Sequence, residues 1–242
     1  NTINTLTIGG QAQMDPNAGR YSGTGGIVGT TATSGTPFAT SAVNISGGGL
    51  ALIGGAAPQA LSLGTLTYGA GAAIALNMGT TSTTLTLTTA LTRGGAPVGS
   101  LTPALTGVTP GTLYVVPSNL ANLGLTERVL VSAGAPANTT TGGGTILTTP
   151  SIFVRLQTPG DANFARYDVT GGIMTHNVAT VSTLTASAGT DVADINLSDV
   201  AGAGTISIQA LRTSADISPT DLTTLIQIAR GGLILNGAVA PV

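Results

Sequence analysis

The chain has 242 residues, of which only 7% are charged, where roughly 25% is usual; all seven basic residues are Arg and eight of the nine acids are Asp. Without cysteine there are no disulfides, cysteine zinc sites or thiol nucleophiles. Without lysine there is no P-loop and no Schiff-base chemistry. A mean hydropathy of +0.42 with a formal net charge of -2 argues for a folded chain, because disorder combines low hydrophobicity with high charge.

Seven scattered Arg in a net-negative chain give no electrostatic footprint for nucleic acid. No apolar run reaches the roughly 18 residues of a membrane helix. The sparse charge gives weak protection against association. The surface is then either solvated by Ser, Thr and Asn or covered by other chains.

From the first residues the pattern is strand, glycine turn, strand. Residues 3–8 (INTLTI) lead into Gly9-Gly10, and a polar loop follows with Asp15-Pro16-Asn17 as its turn signal. Residues 43–46 and 50–53 are short apolar runs on either side of Gly47-Gly48-Gly49. Residues 60–68 (ALSLGTLTY) alternate Leu61, Leu63, Leu66 and Tyr68 with small residues. Residues 83–91 (TTLTLTTAL) come close to strict period two, which puts Leu85 and Leu87 inside and Thr outside.

Prolines between Pro97 and Pro117 flank a strand over 113–116. Ser118 or Asn119 can cap a short helical turn within 118–127. A strand over 128–132, a loop to Gly144 and short strands at 146–147 and 152–156 come next. The most polar part, 158–168, carries Asp161, Arg166, Tyr167 and Asp168 and is given no strand, and short strands resume at 173–174, 178–181, 195–197 and 204–211.

Residues 218–229 admit two readings. Ser218-Pro219-Thr220-Asp221 resembles a helix start, whereas the Ile226-Gln227-Ile228 alternation and the following Gly-Gly favour a strand. The strand is preferred. It forms a pair with 233–235 across Ala229-Arg230-Gly231-Gly232, and Leu235 is expected to point inward.

Gly48-Gly49-Leu50-Ala51-Leu52 is nearly repeated at Gly231-Gly232-Leu233-Ile234-Leu235. Such glycine-bounded, Leu-rich strands suit a β-solenoid, with residues 1–242 as one elongated domain. At roughly 20 to 25 residues per coil the chain would make about ten to twelve coils, stacked about 4.8 Å apart into a rod about 50 Å long. A β-sandwich subunit that polymerises by donating the strand 3–8 is the alternative architecture.

Catalytic candidates are few. His176 is the only histidine, no G-x-S-x-G elbow occurs, and a loop or outward strand position is the simpler reading for it. Asp191, Asp194 and Asp199 would meet on a calcium ion only if their segment turns back on itself; solvated loop acids are simpler. Asp161, Arg166 and Asp168 form the one dense charged cluster, with Arg155 and Arg212 as potential neighbours. In a glycan-cleaving β-helix such a cluster would line a groove, and otherwise it is a surface ion-pair group. No catalytic residue, cofactor or metal is assigned.

The units at residues 3–10, 47–56, 202–212 and 231–238, with the Thr-Leu-Thr-Leu strands and the Gly/Thr/Ala bias, resemble the autotransporter-associated β-strand repeat proteins of bacteria. That resemblance implies a right-handed parallel β-helix, export to the cell surface, and a role in adhesion or extracellular structure. It carries over no functional residue, and residues 94–165 share only the composition.

The expectation is therefore a structural, non-enzymatic β-solenoid, read as a piece of a longer exported chain because it opens without a Met or a leader. Its partners would be further copies or repeats stacked end to end, with host or surface glycans as potential ligands. Its stability would come from stacked aliphatic residues, with little dependence on salt or on pH between about 5 and 9.

Overall fold

Leu50, Ile74, Val115 and Val154 lie side by side in one row across four neighbouring strands, each almost fully buried. Leu61, Leu85 and Val129 form a second row. Where the crossing between parallel partners is short, neighbours in a row are 23 or 24 residues apart, as with Val43 and Leu66 or Leu50 and Ile74; where it is long they are 39 to 44 apart. The Leu-rich strands therefore pair with their own next repeat. The computed structural model in which this is seen describes residues 5–9, 13–14, 21–22, 28–29, 38–46, 49–53, 58–69, 71–77, 82–94, 111–156, 162–185 and 187–236.

In chain order the strands are β1 (Thr5–Gly9), β2 (Gln13–Met14), β3 (Tyr21–Ser22), β4 (Val28–Gly29), β5 (Phe38–Ser46), β6 (Gly49–Ile53), β7 (Gln59–Tyr68) and β8 (Ala72–Asn77). After β9 (Thr83–Arg93) and β10 (Leu113–Val116) come β11 (Glu127–Val131), β12 (Asn138–Thr141), β13 (Gly144–Leu147), β14 (Ile152–Val154), β15 (Asn163–Asp168) and β16 (Gly172–Thr175). The last are β17 (Thr180–Val181), β18 (Val192–Ile195), β19 (Asp199–Ala201), β20 (Thr205–Thr213), β21 (Ile217–Pro219) and β22 (Leu225–Leu235). The protein is all-β. The only helical piece among the described residues is a 3-10 turn, Leu120–Asn122, capped by Asn119, whose side chain accepts from the Ala121 N–H.

Twelve strands make one nearly closed mixed sheet, in the order β1-β5-β7-β9-β11-β16-β15-β14-β10-β8-β6-β4. From β5 to β10 successive strands alternate between its two arms. β5, β7, β9 and β11 pair in parallel in one arm, and β6, β8, β10 and β14 in the other. A parallel partner cannot be reached by a tight hairpin, and this chain reaches it by crossing to the opposite arm and back. Side chains from both arms fill one core, in which Leu63, Leu66, Leu85 and Leu87 meet Leu52, Ile74, Leu76 and Leu113.

The parallel ladder is interrupted at β15, which runs antiparallel to both β14 and β16 and joins the two arms. This stretch, the most polar in the sequence, carries no strand signal of its own. It is a strand because Phe164, Ala165 and Tyr167 are buried among its polar residues. Its turn into β16 is fixed by Asp168, whose carboxylate accepts the N–H groups of Thr170 and Gly171, and by Gly172 at φ 79°. A second hairpin, β12 with β13, occupies what was read as loop before Gly144.

The C-terminal part builds a separate four-stranded sheet, β17-β18-β20-β22, also parallel. The shorter ladder of β19 with β21 accompanies it. The preference for strand over helix near the C-terminus is correct from Leu225 onward; Asp221 instead caps a turn by accepting the N–H of Thr223. Two details differ from expectation. Residues 229–232 do not join two strands, because β22 runs unbroken through them, and its register slips opposite Gln209. Leu235 belongs to an inward row with Ile195 and Thr213, yet it is 71% exposed because β22 is the edge strand and nothing among the described residues covers it.

Candidate functional site

The C-terminal sheet packs on the outer face of the twelve-stranded sheet through aromatic residues. Tyr114, Phe153, Phe164 and His176 form a chain of rings with centroids 5.8, 6.1 and 6.1 Å apart. Val192, Ala210 and Ile234 close over them. Gly232 is required here, because a Cβ at this position would lie 2.8 Å from the Phe164 ring and 3.2 Å from the Ala210 Cβ.

Register carries this packed face out to a polar rim. In the parallel ladder Val192 is opposite Ala210 and then Gly232, and two residues on Asp194 is opposite Arg212 and then Ile234. Two further on, on the same face because the side-chain period is two, stand Asn196, Ser214 and Asn236. Arg212 donates to both carboxylate oxygens of Asp194, a bidentate pair with both side chains about three-quarters buried. Asn236 donates to the Ala162 carbonyl at 3.2 Å and ties the rim to the segment entering β15.

Between these rows and the larger sheet is a cavity of about 330 Å³, lined by Asp194, Asn196, Arg212, Ser214 and Asn236 on one side and Leu120, Leu156 and Asn163 on the other. Among the described residues, the side chains of Asn196 and Ser214 have no hydrogen-bond partner. The cavity could not be read from the sequence, since its residues come from six separate places along the chain. The one available signal was that Asp194 and Arg212 are 18 residues apart, one repeat of the short C-terminal ladder.

The charged residues singled out in the sequence are dispersed. Arg166 pairs with Asp168 at 3.7 Å on the surface and also donates to the Thr175 carbonyl. Arg155 lies over the Tyr114 ring, 5.5 Å from its centroid. Arg212 belongs to Asp194, and Asp161 lies outside the described residues. The backbone donors from Gly171 and Thr170, with a smaller contribution from Arg166, hold the Asp168 carboxyl below its usual pKa. The three aspartates considered for calcium likewise have separate tasks: Asp191 accepts from the Ala188 N–H, Asp199 from the Leu184 N–H, and Asp194 from Arg212. Among the described residues no three His, Asp or Glu side chains are grouped to hold a metal ion.

His176 follows β16, its N–H donates to the Phe164 carbonyl, and its ring packs edge-on against Phe164. Burial, reinforced by the Arg212 charge and opposed by Asp194, pushes its pKa down to about 4. The unfolded chain therefore binds this proton more readily than the folded one. The stability is full above the ordinary value near 6.5 and is lost as pH falls toward 4, by up to about 3 kcal/mol. Weak pH dependence down to about 5 is thus revised at its acid end. The urea midpoint should drop between pH 6.5 and 4, and a His176→Phe variant should flatten that part of the profile. The exposed Asp168 and Asp221 carboxyls, whose pKa values are also lowered, lose their contribution only below the usual carboxylate range.

The fold and the cavity define an all-β protein with a large mixed sheet, a smaller parallel sheet and a polar crevice between them. No family model, no curated protein and no solved structure matches the chain. Among the described residues no helix is long and apolar enough to cross a membrane.

Proposed function

We propose that this chain is a structural, non-enzymatic protein, a right-handed β-solenoid that stacks end to end into filaments at the bacterial cell surface or outside the cell. The observation that carries the proposal is the edge of β22. Ala193, Leu211 and Leu233 form one inward row, and Ile195, Thr213 and Leu235 the next. Within each row burial is nearly complete until the last member, where Leu233 is 48% and Leu235 71% exposed.

A row of core positions that ends in exposed leucines on a free edge strand is a surface to which another strand can add. A second copy supplies one, because β1 and β4 are the edges of the larger sheet among the described residues. Such a head-to-tail contact produces a fibre when the rotation between copies does not close a ring. The scarcity of charge supports the same reading, since little like-charge repulsion opposes stacking. The bacterial and extracellular placement is supported by composition and by the resemblance of the repeat units.

The test is to place lysine at both leucines. In sedimentation velocity the parent chain should grow with concentration, and Leu233→Lys/Leu235→Lys should stay monomeric with an unchanged far-UV spectrum. A parent chain that is monomeric at every concentration, or a double variant that assembles equally well, would contradict the proposal.

A further inference from the structure

We infer that the crevice between the two sheets binds a neutral, hydroxyl-rich ligand, a mono- or disaccharide unit of a glycan. Its volume of about 330 Å³ lies at the small end of the roughly 300–1,000 Å³ range of ligand pockets. Its chemistry selects the class. Asn163, Asn196, Asn236 and Ser214 bring amides and a hydroxyl, so donors and acceptors are both present around one space. A sugar hydroxyl both donates and accepts, and it matches such a wall where a carboxylate, a phosphate or an ammonium does not.

The electrostatics point the same way. Among the described residues, the charged groups lining the crevice are Asp194 and Arg212, and they are spent on each other in a bidentate pair. A charged ligand would have to break that pair and leave one buried charge alone, which is costly. A wholly apolar ligand would strand the amides without partners. Leu120 and Leu156 on the opposite wall supply an apolar surface for the C–H face of a ring.

The wall is also set before any ligand arrives. The Asp194–Arg212 pair and the Asn236 bond to Ala162 fix its rear, and Asn196 and Ser214 directly follow the ends of the neighbouring parallel strands β18 and β20, where the Ser214 N–H still bonds the Ile195 carbonyl. The crevice is independent of the free edge of β22, because Leu233 and Leu235 point to the opposite face of that strand from Ile234 and Asn236.

The experiment is a titration of the intact chain with neutral hexoses, N-acetylhexosamines and their disaccharides, followed by side-chain amide NMR, with sialylated and sulfated sugars as the charged arm. At least one neutral sugar should bind at about 10 mM or below, the weak affinity that a few exposed hydrogen bonds support. It should shift the amide signals of Asn163, Asn196 and Asn236. Asn196→Ala and Ser214→Ala, both at exposed positions, should each weaken binding about three- to tenfold. The Leu233→Lys/Leu235→Lys chain should bind as the parent does, which separates this result from the fate of the filament proposal. No binding of any neutral sugar, binding of the charged sugars only, or binding that both single variants leave intact would overturn the assignment.

Discussion

Leu85→Asp should abolish folding, while Leu235→Asp should leave the monomer's stability within about 0.5 kcal/mol of the parent. The two leucines sit in similar Leu-rich, glycine-bounded strands, and only their surroundings differ. Leu85 is fully buried between Leu61 and Val129 in the wall of the main core. A carboxylate there has neither water nor a cation, and it would have to take up a proton or force the ladder open, either of which costs several kcal/mol. Leu235 ends its row on a free edge and is already mostly in water. Urea denaturation of the two variants at equal, low concentration decides the matter. Comparable losses would mean that the burial of β22 has been misjudged.

Gly172→Val should be as damaging as Leu85→Asp, for a backbone reason. Gly172 opens β16 at φ 79°, and it lies opposite Val129 in the only parallel pairing between β11 and β16. A Cβ at this position would stand 2.2 Å from the Val129 carbonyl oxygen. That carbonyl belongs to the ladder and cannot swing away as a side chain can. The left-handed conformation alone costs an L-residue about 1–2 kcal/mol; the clash then breaks the pairing of β16 with β11, and a total loss above about 4 kcal/mol is expected. Gly143→Ala is the matched control. Its φ is 76°, but nothing lies within 4 Å of the added carbon, so only the conformational cost of about 1–2 kcal/mol should appear. Equal losses at the two sites would show that the close approach to Val129 contributes nothing.

What the sequence disclosed follows from which interactions are local. Alternation within one strand is local, so β7, β9 and β10 were legible almost to the residue, as was the inward direction of Leu85 and Leu87. The capped turn after Pro117 was legible for the same reason, since Asn119 bonds only two residues ahead. The 20 to 25 residues expected per coil match the 23- and 24-residue steps of the short crossings, but other steps in the main sheet are 39 to 44 residues, and the C-terminal ladder steps by 18, 20 and 22.

Other features were set by partners far along the chain. Phe164 makes β15 a strand, but its ring is buried by Val192, Ala210 and Ile234, and a polar neighbourhood concealed that. The repeated Gly-Gly-Leu-x-Leu motif shows the limit most clearly. From Gly49 its first copy opens β6, whereas its second continues β22 without a break. At the second copy Gly232 lies directly against Phe164, Ala210 and Pro150, so the same local sequence serves a close packing contact. The crevice had no local signature at all, because its polar rows exist only once the short ladder is in register.

Fibre diffraction from concentrated, aligned material tests the central proposal most directly. Strands that stack head to tail along a filament lie across its axis, and their spacing of about 4.8 Å repeats along it. The solenoid account predicts a reflection near that spacing on the meridian, lost when lysine replaces Leu233 and Leu235. A reflection at the same spacing on the equator, with strands running along the axis, or material that forms no filament at all, would contradict it.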